Sequence, residues 1–145
     1  MEKLVIYTDG GARGNPGPAG IGVVIKDEKG NTIKSYGEAI GEATNNEAEY
    51  QAVIFALKKI KLLFGKEKVK QMAIEIRMDS ELAVEQLSNR YKIQGENLQK
   101  RFMEIRNLLI DIGGNASFIH VPRAQNRAAD RLVNQALDRK QGSLL

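Results

Sequence analysis

The chain has 145 residues, with 22 Lys plus Arg against 18 Asp plus Glu, a formal charge of +4 and a pI near 9.3. That length suits a single domain over residues 1–145, and a composition of 42% hydrophobic and 28% charged residues excludes a disordered chain. With no cysteine and one histidine, His120, the sequence excludes disulfides, thiolate zinc sites and multi-histidine metal centres, and leaves catalysis to carboxylates and any metal to oxygen ligands. No stretch approaches the roughly 20 apolar residues of a membrane span, and Met1 to Ile6 holds no signal-peptide run, so a cytoplasmic protein without membrane contact is expected. The basic excess permits an anionic partner such as nucleic acid.

Leu4-Val5-Ile6-Tyr7-Thr8 reads as a central strand buried on both faces and ending at Asp9-Gly10-Gly11. From Gly10 to Gly20, glycines and two prolines predict irregular chain, after which Ile21 to Ile25 resumes as strand. Asp27 to Asn31 is a turn and Thr32 to Ile40 a third strand, so the chain opens as an antiparallel meander. The period then changes: Val53, Ala56, Leu57, Ile60 and Leu63 define an amphipathic helix that stops near Gly65. Asn45 or Asn46 is the candidate N-cap of this helix.

Lys66 to Lys70 reads as a basic link to a fourth strand, with Ile74, Ile76 and Met78 on one face and Glu75, Arg77 and Asp79 on the other. Ser80 to Asn89 is a short helix, and Leu98, Phe102, Ile105, Leu109 and Ile112 stripe a longer one. Ala116 to Val121 is the last strand, and Asn126 is expected to cap a final helix burying Ala129, Leu132, Val133 and Ala136. The order βββαβααβα calls for a mixed sheet with helices on its faces.

Four acidic residues fall at element junctions: Asp9 and Asp79 at strand ends, Glu49 and Asp130 in first helical turns. If the first and fourth strands are parallel neighbours, their C-terminal ends coincide and Asp9 meets Asp79. Helices starting at the same edge would add Glu49 and Asp130, and such a cluster needs a divalent cation to offset its repulsion. Two such ions can clamp the attacking and leaving oxygens of a phosphodiester. Taken singly, each residue has a plain structural reading as a turn, a dipole partner or a cap. The glycine-rich segment lacks the Gly-Lys-Ser/Thr end of a P-loop and the spacing of a dinucleotide site, so no small-molecule cofactor is expected.

The strings Tyr7-Thr8-Asp9-Gly10-Gly11, Gly14-Asn15-Pro16-Gly17-Pro18-Ala19-Gly20, Thr44-Asn45-Asn46-Glu47-Ala48-Glu49-Tyr50, Asp79-Ser80 and Asn126-Arg127-Ala128-Ala129-Asp130 resemble, in family order, the motifs of type 1 ribonuclease H. The resemblance spans nearly the whole chain. It implies the ribonuclease H-like mixed five-stranded sheet, an α/β fold. It also implies endonucleolytic hydrolysis of the RNA strand of an RNA/DNA hybrid, leaving 5′-phosphate and 3′-hydroxyl ends. By the same resemblance Asp9 would bridge two Mg²⁺ ions, with Mn²⁺ as a substitute. Glu49 and Asp79 would hold the ion on the leaving-group side and Asp130 the ion that activates water, while Glu47 is read as surface. Gly10, Gly11 and Ala12 are expected to let backbone approach a ribose 2′-hydroxyl. Asn15, Asn45 and Asn46 match minor-groove readers, and Thr44 matches a DNA-phosphate contact. Arg123 is the first choice for a contact near the scissile phosphate, among three arginines flanking Asp130.

Three departures from the family pattern stand out. The stretch Pro122 to Asn126 has no histidine, and His120 is expected to be a partly buried structural residue. Arg90 to Asn97 is too short for the basic, tryptophan-rich handle of some members, and the chain has no tryptophan. Glu81 stands where some relatives have a glutamine. A compact subgroup without histidine, handle or glutamine is the nearest resemblance. Two other readings stay open: a non-catalytic nucleic-acid-binding module on the same fold, and a nuclease acting on another duplex such as double-stranded RNA. A polar, charge-rich surface suggests a monomer.

Overall fold

A computed structural model describes residues 2–142. Strands β1 (Lys3–Ala12), β2 (Gly17–Asp27) and β3 (Thr32–Ala43) form the antiparallel meander, and β4 (Ala73–Met78) and β5 (Ala116–His120) complete a five-stranded sheet. The strand order is β3-β2-β1-β4-β5, with β4 parallel to both β1 and β5. The helices are α1 (Asn45–Phe64), a single turn α2 (Lys66–Val69), α3 (Glu81–Leu87), α4 (Glu96–Asp111) and α5 (Arg127–Gly142), the last preceded by a 3₁₀ turn at Arg123–Asn126. This is the mixed sheet flanked by helices that the element order calls for, and the ribonuclease H-like α/β fold that the resemblance implies.

Alternation along the strands sorts the side chains into two layers. Leu4 and Ile6 of β1, Val23 and Ile25 of β2, and Ile74, Ile76 and Met78 of β4 share one buried cluster with Val53, Leu57 and Ile60 of α1 and Ile105 of α4. Leu63, expected on the inner face of α1, is instead 43% exposed, while its neighbour Phe64, the last residue of the helix, packs against the core. Arg77, on the opposite face of β4, donates to Glu75 and to the Tyr7 hydroxyl, at 2.6 and 2.7 Å.

The other face of the sheet is covered by α5, and this contact depends on missing side chains. A Cβ at Gly22 would lie 2.1 Å from the Ala129 carbonyl oxygen, so only glycine lets the helix backbone settle onto β2. Ala129, Val133, Ala136 and Leu137 are buried in consequence.

Three local expectations are corrected. The segment Gly10 to Gly20 is irregular only over residues 13–16: β1 runs to Ala12 and β2 begins at Gly17, paired as Gly11 with Gly20 and Ala12 with Ala19. Pro18 sits one residue into β2, where its carbonyl accepts from the Arg13 N–H of the connecting turn at 2.8 Å. Lys66 to Lys70 is mostly helical, since the turn α2 buries Val69 in the main core. Asn126 does not cap the final helix but donates its side-chain amide to the Thr8 carbonyl at 2.9 Å, pinning the 3₁₀ turn to the central strand.

Candidate active site

The parallel pairing of Tyr7 with Arg77 carries β1 and β4 forward in step, so Asp9 and Asp79 emerge side by side at the C-terminal edge of the sheet. The third carboxylate arrives on α1. A Cβ at Gly10 would meet the backbone of Ala48 at 2.2 Å and the Glu49 nitrogen at 2.5 Å, so the glycine lets the first turn of α1 lie directly on β1. Oxygens of Asp9, Glu49 and Asp79 then lie within 4.8 Å of one another. Asp130 stands outside that triplet, exposed on α5, but lines the same cleft and is near enough for its charge to act on Asp9.

These charges share little water. Asp9 and Glu49 are each 7% exposed, and one Glu49 oxygen, Oε2, is buried without a hydrogen-bond partner. Burial, and then the negative charges of Asp79 and Asp130, push the Asp9 carboxyl up to about 7. Burial and the charges of Asp9 and Asp79 raise the Glu49 carboxyl well above the usual carboxylate range. Crowded oxygens that repel one another, with one left unpartnered, fit a hard divalent cation.

The carboxylates line a cleft of about 500 Å³ together with Gly10, Gly11, Ala12, Asn45 and Arg123. Ser80, of the Asp79-Ser80 string, joins them there, as do Arg13 and Asn134, which no motif in the sequence marks. Ser80 follows Asp79 and caps α3 by accepting from the Ala83 N–H at 3.2 Å. Arg13 is held by Asp138 of α5 at 2.7 Å. Only the spacing of Asn134, one helical turn beyond Asp130, offered a signal in the sequence.

Glycine at position 10 is demanded by α1, whereas a Cβ at Gly11 would meet only Val133, at 3.9 Å. The helix is capped by Thr44, not by either asparagine: its Oγ1 accepts from the Glu47 N–H at 3.2 Å and its hydroxyl donates to the Glu47 carboxylate at 3.1 Å. Threonine wins the cap because its extended backbone aims the hydroxyl at the third helical N–H. Asn45 and Asn15 instead stitch the β1–β2 connection to α1. The Ala12 N–H donates to Asn45 Oδ1 at 2.9 Å, and the Asn45 N–H donates to Asn15 Oδ1 at 3.0 Å. Asn46 is half-buried beside them. His120 is exposed, not partly buried, as the last residue of β5, the edge strand of the sheet. Glu81 is exposed at the start of α3, and the α3–α4 connection spans only residues 88–95.

A family model described as Reverse transcriptase-like matches residues 7–136. The chain is 42% identical over 136 residues to ribonuclease HI of Halobacterium salinarum, covering 94% of this chain and 65% of that protein. The chain belongs to the type 1 ribonuclease H family. It is also 41% identical over 137 residues to the bifunctional protein Rv2228c of Mycobacterium tuberculosis, of which it spans 36%. This family member thus spans about two thirds or less of the curated relatives it matches first. Among solved structures, LC11-RNase H1, isolated from compost, superposes with a TM-score of 0.92 at 50% identity, covering 97% of this chain and 99% of that one. The same LC11 protein has been crystallised in complex with an RNA/DNA hybrid; that structure has a TM-score of 0.90 and 48% identity, and covers 95% of this chain and 99% of that one. No helix among the described residues is long and apolar enough to cross a membrane.

Proposed function

We propose that this chain hydrolyses the RNA strand of RNA/DNA hybrids, leaving 5′-phosphate and 3′-hydroxyl ends, with divalent cations held by Asp9, Glu49, Asp79 and Asp130. The observation that carries this reading is the packing of three carboxylates within 4.8 Å, two of them buried, in a chain of the ribonuclease H family. The hybrid bound to LC11-RNase H1 favours the same substrate class. Mg²⁺ or Mn²⁺, when bound, supplies a Lewis acid for the phosphoryl oxygens and lowers the pKa of a water nucleophile. Asp9, central to the cluster, shares its oxygens between the Glu49 and Asp130 sides. Glu49 and Asp79 hold the side nearer the sheet, and exposed Asp130 faces the water side.

The chain's own residues supply the substrate surface. Gly11 and Ala12 present backbone at the mouth of the cleft, where a ribose 2′-hydroxyl distinguishes RNA from DNA. Asn15 and Asn45 spend their carbonyl oxygens on the stitch and keep their Nδ2 donors for acceptors in the minor groove. Asn46 completes this row, and Thr44, at the start of α1, lies toward a DNA phosphate. Arg123 lines the cleft beside Asp130 and offers a guanidinium to the scissile phosphate.

The test is cleavage of a labelled hybrid with and without Mg²⁺ or Mn²⁺, comparing the native chain with Asp9→Asn. Metal-dependent cutting of the RNA strand, reduced at least about 10³-fold in the variant, is expected. An intact hybrid at high enzyme concentration with both metals would overturn the reading, and preferential cutting of double-stranded RNA would reassign the substrate.

A further inference from the structure

The chain has nine arginines. Six of them, Arg13, Arg77, Arg90, Arg101, Arg106 and Arg139, donate to a carboxylate, amide or carbonyl oxygen of the chain. The remaining three are Arg123, Arg127 and Arg131, all exposed, and among the described residues their side chains make no hydrogen bond or ion pair. Asp130 lies one turn from Arg127 and next to Arg131, yet pairs with neither. Three unpaired guanidiniums on one short segment, in a molecule that pairs all its others, point to a partner outside the chain.

Their placement says which partner. Spaced by four residues along the 3₁₀ turn and α5, they share one stripe. Arg127 and Arg131 line a second cleft of about 540 Å³, which shares Arg123, Asp130 and Asn134 with the carboxylate cleft. The two clefts therefore run together over Asp130. A strand whose reacting phosphate lay at Asp9 and Asp79 and that continued past Asp130 would enter the arginine-lined cleft. Its flanking phosphates need such cations, since the carboxylate cluster repels any anionic backbone that no charge offsets. Guanidiniums four helical residues apart differ by a rise of about 6 Å, which lets them meet phosphates in succession along one strand.

We propose that Arg127 and Arg131 form a phosphate-binding shelf that grips the cleaved strand beside the scissile position. The shelf rests on the hybrid-nuclease reading. These are binding residues: they fix affinity and salt dependence without touching the reacting atoms.

The experiment compares the native chain with the double variant Arg127→Gln/Arg131→Gln. A charge-matched control, Lys29→Gln/Lys34→Gln, removes two exposed cations on the β2–β3 hairpin, away from Asp130. Steady-state hybrid cleavage and anisotropy binding of the same hybrid in EDTA are measured across a salt series. The expected result is a KM raised about tenfold or more with kcat within twofold, and a slope of log affinity against log salt shallower by about 2, with the control near native. The shelf is overturned if KM and slope match the native or control protein, or if kcat falls while KM stands. A native chain that cuts no hybrid sinks the nuclease reading instead, and the binding slopes then decide the shelf on their own.

Discussion

Asp9 concentrates the chemistry of the site and its cost. Its carboxyl, pushed to about 7, has a value near 3.9 in an unfolded chain. The metal-free native state therefore keeps a proton that the unfolded state gives up above pH 4. The sign follows: this contribution is fully present below about pH 4 and is lost as pH rises towards 7. In EDTA, the native chain is expected to lose stability between pH 5 and pH 8, and Asp9→Asn to lose much less. The variant should therefore be the more stable protein at pH 8, by at most about 4 kcal/mol, as read by denaturant titration. Equal pH profiles would mean that Asp9 is not protonated in the folded state. Among residues, the carboxylates were legible from their sequence settings, although β1 runs three residues past Asp9 and Glu49 is the fifth residue of α1; Asp79 directly follows β4 and Asp130 lies in the first turn of α5. Glu49 was the hardest to place, since its position depends on how closely Gly10 lets α1 approach β1.

At the scale of elements, α5 decides whether the fourth carboxylate reaches the others. Its amphipathic pattern was plain in the sequence, with Ala129, Val133 and Ala136 inward. Its landing place was not, because Gly22 reads locally as a weak spot in a strand. The space left by its missing side chain is filled by the helix backbone at Ala129. Gly22→Ala is expected to lift α5 and carry Asp130 from Asp9. Activity should fall by about 10²-fold or more, with about 1–3 kcal/mol lost in stability and the far-ultraviolet circular dichroism retained. Retained activity would show that Asp130 tolerates displacement. The irregular stretch expected at Gly10 to Gly20 shrinks to residues 13–16 for a related reason: neighbouring strands supply hydrogen bonds that override the weak strand preference of glycine and proline.

The molecule as a whole gathers β1, α1, β4 and α5 at one edge of the sheet, and on the proposed reading a cation bound there would tie them together. Binding only to the folded state raises stability in proportion to its logarithmic saturation, about 2.7 kcal/mol at 100 times Kd. For a chain of this size Tm should then rise by about 5–10 °C with saturating Mg²⁺ or Mn²⁺. The shift is expected to vanish in Asp9→Asn, and a metal-independent Tm by calorimetry would count against a site in the carboxylate cluster. The same assembly leaves Arg123, Arg127 and Arg131 unpaired beside the cleft, where salt dependence of substrate affinity becomes a property of the whole surface.

Local pattern alone determined the element order and the four acidic residues near element junctions, and left the parallel pairing of the fourth strand with the first as a condition. Strand alternation, helical period and glycine punctuation act between near neighbours in sequence. The tertiary structure decided what depends on backbones far apart in the chain: the parallel pairing of β4 with β1, the Asn126 tie to Thr8 across 118 residues, and the exposure of His120. It also decided the close seats of α1 on Gly10 and α5 on Gly22. Those outcomes turn on ångström-scale contact between elements, and a pattern of residue types holds no distances.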